Sequence, residues 1–264
     1  MIPESVSEIG SSVFEGCKAL ISVVIHGSVT EIGYHAFEGC KSLARVEMPD
    51  SVTEIGFNAF EGCEALTSVV IPESVTKIGR KAFDGCSSLA SVQIPGSVAE
   101  IGHSAFSGCI SLESVVIPGP VTEIEWRTFY GCEALVSVMM PHTVSEIGDN
   151  AFEGCKALAR VEIPDSVTRI GREAFKDCEA LAGVVIPKSV TEIRRGAFKN
   201  CISLEEIDLA PGNRSYRIID GALFSKDLTA LLCVPKTTSS LVIPDSVTEI
   251  KQWAFWAVPH SKVW

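Results

Sequence analysis

The chain has 264 residues, 46% of them apolar, and a formal net charge of −11. That apolar share is ample for a packed core and excludes disorder. The acidic balance argues against a nucleic-acid partner and against adsorption to anionic membranes, and no apolar run reaches the roughly 20 residues that span a bilayer.

From the N-terminus the chain enters a repeated phrase. Ile2-Pro3-Glu4-Ser5-Val6-Ser7-Glu8-Ile9-Gly10 leads to Val13-Phe14-Glu15-Gly16-Cys17, then to Leu20 and Val23. The phrase restarts every 23 residues at Ile25, Met48, Ile71, Ile94, Ile117, Met140, Ile163, Ile186 and Leu209, and once more at Ile243 after a longer interval. A fixed period in this range specifies a solenoid, whose units bury their apolar faces only against neighbours. In chain order each unit is expected to hold a short extended piece at 6–9, a helical or 3₁₀ turn around 11–17 and a strand over 20–25. Val6, Ile9, Phe14, Leu20, Val23, Ile25 and their copies read as core, with a stacked Phe column from Phe14 to Phe198 that Phe255 rejoins. Gly10 and its copies read as turn closures at positive φ. The single solenoid over 1–264 divides into regular repeats at 1–208, an irregular longer repeat at 209–242 and a partial last repeat at 243–264. In the irregular repeat, apolar runs around Ser225-Lys226-Asp227 suit a hairpin.

Met1–Ser5 has no basic n-region or apolar h-region, so no signal peptide or anchor is read in this chain. Neither end carries a dedicated polar cap, which suggests a segment of a longer protein.

In the strand at 20–25, alternation turns Leu20, Val23 and Ile25 inward and leaves positions 22 and 24 outward. The outward set includes Val24, Arg45, Glu47, Val70, Gln93, Val116, Met139, Arg160, Glu162 and Val185, an apolar stripe interrupted by two Arg/Glu coils. Such a stripe marks a protein interface, against the plainer reading that β-branched residues there only favour the strand. The ten positions are the candidate partner-binding residues.

The phrase Leu20-x-x-Val23-x-Ile25, followed by Ser28-Val29-Thr30-x-Ile32-Gly33-x-x-Ala36-Phe37-x-x-Cys40, resembles the BspA-type class of leucine-rich repeats over residues 2–255. The resemblance implies a right-handed leucine-rich-repeat-like coil of short parallel strands. It also implies a non-enzymatic protein–protein interaction module, used for cell-surface adhesion or ligand recognition, at the cell surface or secreted. The competing reading is a structural spacer, or an array that self-associates through uncapped ends.

The remaining chemistry reads as structural. Cys17, Cys40, Cys63, Cys86, Cys109, Cys132, Cys155, Cys178 and Cys201 form an odd column of in-register side chains, expected to be buried free thiols; Cys233 lies off the column and is expected to be the most exposed. No nucleophile, nucleotide or metal motif occurs, so no catalytic residue, cofactor or metal is assigned. His26, His35, His103, His142 and His260 read as surface variation. The Glu8–Glu249 column, broken by Lys77 and Arg169, reads as a solvated acidic face, with weak calcium binding as the alternative. Carbohydrate binding would draw on Trp126, Tyr130, Trp253, Trp256 or Trp264, but the sheet face has no aromatic platform. Asn213-Arg214-Ser215 is a glycosylation sequon.

Overall fold

The computed structural model describes residues 2–258; His260 and Trp264 lie outside them. The chain winds into coils that stack in parallel register, each residue above its counterpart 23 positions earlier. Two ribbons of short strands run along the stack. One ribbon contains Ser22–Val24, Arg45–Glu47, Ser68–Val70, Ser91–Gln93, Ser114–Val116, Ser137–Met139, Gly183–Ile186 and Glu206–Leu209. The other contains two-residue strands such as Glu31–Ile32, Glu54–Ile55 and Lys77–Ile78. Pairing is parallel throughout both, for example Val23 with Val46 and Ile32 with Ile55. Each ribbon is hydrogen-bonded in segments, and an isolated Arg160–Gly183 bridge continues the first.

The repeated phrase Pro-x-Ser-Val closes a tight turn between the ribbons. Val52 N donates to Pro49 O at 3.1 Å and Val75 N to Pro72 O at 3.0 Å. The intervening serine ties each coil to the one before it. Ser51 Oγ donates to Val29 O at 2.6 Å and Ser166 Oγ to Val144 O at 2.6 Å. These bonds satisfy backbone carbonyls that would otherwise be buried without partners.

The helical or 3₁₀ turns expected around 11–17 are not formed, and the described residues contain no helix. The segment is instead a ribbon of overlapping turns. Two residues in each coil hold left-handed backbone, for example His35 (φ 57) and Gly39 (φ 68). Left-handed residues four apart break an α-helical ladder. The N–H groups therefore alternate between a carbonyl three residues back and one in the next coil. Ala36 N reaches Gly33 O at 3.3 Å, while His35, Phe37 and Gly39 donate to Phe57, Ala59 and Glu61 at 2.8, 2.8 and 2.7 Å.

The Gly10 column has a different purpose from the one its sequence suggests. Gly33, Gly56 and Gly79 do not have positive φ. A Cβ on Gly79 would stand 2.8 Å from both Gly56 C and Ile55 O of the preceding coil. The column permits close backbone stacking, and positive φ falls on the Gly16 column instead (Gly16 φ 68, Gly62 φ 69).

The core of the stacked coils is one continuous cluster along the axis. Phe14 through Phe198 stack with ring centroids 5.1 to 5.7 Å apart and interplanar angles of 7° or less. Phe255 does not rejoin the column; it packs against a second cluster around Phe224, Leu231 and Leu241. Val6, Phe14 and Leu20 of the first coil are only partly buried, because a coil packs against them on one side alone.

After Leu209 the winding changes. Tyr216–Ile219 pairs antiparallel with Ala222–Ser225, which pairs antiparallel with Ala230–Cys233, which in turn pairs parallel with Glu249–Ile250. Asp220 and Gly221, both at positive φ (48° and 77°), make the first two-residue turn. Asp227 organises the second: its carboxylate accepts from Ser225 Oγ and from Thr229 N and Oγ1, which lowers its pKa to about 2.

Candidate interaction surface

In the first ribbon, whose strands are the longer ones, residues alternate exposed, buried, exposed, so positions 22 and 24 and their copies face solvent while Val23, Val69, Val115 and Val184 enter the core. Val70, Val116, Met139 and Val185 have relative exposures of 67%, 58%, 66% and 53%. Gln93, Arg45, Glu47, Arg160 and Glu162 are exposed as well, and Val24 is half-buried. All ten candidate residues therefore lie along one ribbon.

The two charged coils give this face its relief. Arg45 Nη2 lies 2.7 Å from Glu47 Oε1, bridging the outward positions of a single strand. Around that pair is a depression of about 580 Å³ whose lining includes Arg45, Glu47, Ser68 and Val70. Depressions of about 690 and 390 Å³ flank the second charged coil. One is lined by Met139, His142, Arg160 and Glu162, the other by Arg160, Glu162, Val185 and Asp208. Each charged coil thus stands between apolar neighbours, which suits a partner carrying apolar anchors and complementary charge.

Ile21 (67% exposed) and Val136 (52%) were not among the candidates. They precede the strands at one repeat position and extend the apolar stripe sideways. Of the copies of this position only Ile21 and Val136 carry a bulky apolar residue, and that irregularity is the signal that could have found them.

Elsewhere the polar features close on themselves. In the Glu column Lys77 lies between Glu54 (3.8 Å) and Glu100 (3.4 Å), and Arg169 pairs with Glu146. Glu100 above all raises the Lys77 pKa. Burial is the main cause that raises Glu123. Among the described residues no group of three or more His, Cys, Asp or Glu side chains could hold a metal ion. His35 pairs with Glu38, and His103 Nδ1 lies 2.9 Å from Glu125 Oε2. The Arg127 guanidinium lies 4.8 Å from the Trp126 ring and 4.7 Å from the Tyr130 ring, so these aromatics hold a cation of the chain itself. Asn213 of the sequon donates to Pro187 O at 2.7 Å and accepts from Ser215 N and Tyr216 N, which commits its amide to the fold.

All ten cysteines are free thiols. From Cys40 to Cys201 each Sγ donates to a phenylalanine carbonyl of the preceding coil, for example Cys63 to Phe37 O at 3.2 Å. Burial pushes the Cys63 thiol up to about 12. The exposed thiol is Cys17, in the first coil, whereas Cys233, at the end of the hairpin strand Ala230–Cys233, is buried and is also raised to about 12 by burial.

A family model described as a BspA type leucine rich repeat region matches the chain in six copies, over residues 1–113 and 99–229. Among solved structures, a leucine rich repeat protein of T. pallidum is 38% identical, with a TM-score of 0.57, covering 60% of this chain and 76% of that one. A leucine rich cell surface protein of Faecalibacterium prausnitzii A2-165 is 34% identical, with a TM-score of 0.54, covering 78% of this chain and 64% of that one. Among curated proteins none matches.

Proposed function

Because this chain belongs to the BspA-type leucine-rich repeat family, we propose that it is a non-enzymatic interaction module that recognises a protein at a cell surface through the open face of its longer ribbon. The observation that carries this reading is the row Val70, Val116, Met139 and Val185, all more than half exposed, with the Arg45/Glu47 and Arg160/Glu162 coils set between its members. A soluble protein rarely leaves such a row uncovered unless a partner covers it. The phenylalanine column beneath holds the face rigid, so binding does not have to order it. The similarity to a cell surface protein of F. prausnitzii supports an extracellular or surface location and an adhesive role.

The test is capture of surface proteins from neighbouring or host cells by the parent chain and by a Val70→Glu/Val116→Glu variant with an unchanged circular dichroism spectrum. A partner held by the parent and lost by the variant supports the reading. Equal capture by both moves the site off this face.

A second reading, self-association through the ends, draws on the half-buried Val6, Phe14 and Leu20 of the first coil. Sedimentation shows a dimer abolished by Phe14→Glu under that reading, and a monomer at all concentrations against it.

A further inference from the structure

Each regular coil passes the N–H groups of its outer turn to the coil that follows. Glu173, Phe175 and Asp177 donate to the carbonyls of Arg195, Ala197 and Lys199 at 3.1, 2.8 and 2.9 Å. The coil containing those acceptors repeats the same turn, with left-handed Gly196 (φ 70) and Asn200 (φ 59). The chain then departs into the irregular repeat, and the repeated phrase resumes only at Ile243. Among the described residues the N–H groups of Gly196, Phe198 and Asn200 meet no acceptor, and Gly196 and Phe198 line a cavity.

Where the next coil would stack there is a cavity of about 440 Å³. Its apolar lining includes Phe198, the end of the aromatic column, together with Leu223, Leu232 and Cys233 from the hairpin. Its polar lining is rich in cations. Arg194 and Lys251 are compensated, with Glu192 at 2.9 Å and Glu249 at 2.6 Å. Arg195 and Lys199 have no carboxylate partner among the described residues. Arg195 Nη1 donates to Gln252 Oε1 at 3.0 Å, and its guanidinium lies 5.3 Å from the Trp253 ring. Lys199 Nζ lies 4.0 Å from the Trp253 ring and 5.6 Å from the Trp256 ring.

In a chain of net charge −11, two cations without counter-ions and two backbone donors without acceptors meet at one cavity. We propose that this cavity binds a small organic carboxylate with an apolar body, of about the size of benzoate. N–H groups presented by turn backbone make anion-binding concavities. The arginine fork matches a carboxylate, and the apolar wall takes the body. The volume falls within the range of roughly 300–1,000 Å³ usual for small-molecule sites. The cavity shares no lining residue with the candidate ribbon face, and the proposal is independent of the reading given for that face. The irregular repeat then has a purpose beyond interruption: it replaces the coil that would seal the turn donors and supplies the wall of a pocket.

The test is calorimetric titration of the intact chain with sodium benzoate, benzamide and sodium sulfate. Benzoate is expected to bind saturably. Benzamide, which keeps the ring and loses the charge, and sulfate, which keeps charge and loses the body, are each expected to bind at least about ten-fold more weakly. Arg195→Gln and Lys199→Gln are each expected to weaken benzoate by a similar factor while leaving circular dichroism unchanged. No saturable benzoate binding, or equal binding of benzamide, overturns the proposal. Binding by a folded Arg195→Gln variant that equals the parent's also overturns it. Sulfate binding as tight as benzoate overturns the claim that the wall selects an organic body. The comparison of the two anions and the amide on the parent stands even if one variant fails to fold.

Discussion

Removing one ring from the middle of the phenylalanine column is expected to destabilise the chain far more than removing one from its end. Phe106 has no exposed surface and stacks on two neighbours, Phe83 at 5.4 Å and Phe129 at 5.7 Å. Phe106→Ala removes the buried ring and leaves a cavity between two coils, a change that costs about 3–5 kcal/mol. Each stacked pair adds roughly 0.5–1.5 kcal/mol beyond area burial, and two such pairs are lost. Phe14 stacks on Phe37 alone, at 5.1 Å, and is only partly buried. Phe14→Ala should therefore cost less than half as much, on the order of 1–2 kcal/mol. Phe106→Leu keeps most of the apolar volume and loses the stacking, and falls between the two. Urea unfolding followed by far-ultraviolet circular dichroism measures all three. In a one-dimensional array a defect in the middle weakens the interfaces on both sides, so Phe106→Ala should also separate the transition into two phases. The reasoning is refuted if Phe106→Ala and Phe14→Ala lower the stability equally, or if the central change costs under about 1 kcal/mol.

Other outcomes follow from the same stacking. Gly79→Ala drives a Cβ to 2.8 Å from backbone atoms of the previous coil, whereas Gly96→Ala meets nothing within 4 Å and has no positive φ. The first should lower the melting temperature by several degrees and the second should leave it unchanged or slightly raised, as differential scanning calorimetry will show. With an aromatic disulfide reagent, one thiol, Cys17, should react within seconds in the folded chain and the buried thiols only on addition of urea. The buried thiols also make stability fall in alkali. Cys63 and Cys233 titrate near 9 when unfolded and near 12 when folded, so their stabilisation is complete below about pH 9. It is lost between pH 9 and 12 at about 1.4 kcal/mol per thiol per pH unit. A urea midpoint that stays constant from pH 8 to pH 11 would contradict this.

How much of this was legible in the sequence depends on whether a position acts through its side chain or through its backbone. Columns such as Phe37, Cys40, Leu43 and Val46 are apolar in nearly every coil, so periodicity alone placed them in the core, and strand alternation placed Val70, Val116 and Met139 outside it. The outer turn misled because Ala36-Phe37 and Cys40 repeat at helical spacing. The left-handed residue that prevents the helix is carried by side chains as different as His35, Asn58, Lys81 and Arg127; Asn and His favour positive φ, but Lys and Arg do not, so the column carries no common signal. The Gly10 column misled in the opposite sense, because glycine serves close approach as readily as unusual φ. Cys17 and Cys233 exchanged their expected exposures because burial at the ends of an array depends on what packs there, which the repeat does not encode. The cavity beside Phe198 was illegible for the same reason, since it arises where the repeat stops following its own rule.

Site-specific photo-crosslinking tests the interaction face most directly. A photoreactive side chain at position 70, 116 or 139 is compared with one at position 80, on the outer turn, in the presence of surface proteins from neighbouring or host cells. The predicted result is a common adduct from the three ribbon positions and none from position 80. Adducts from position 80 alone, or from all four positions equally, would contradict recognition through this face.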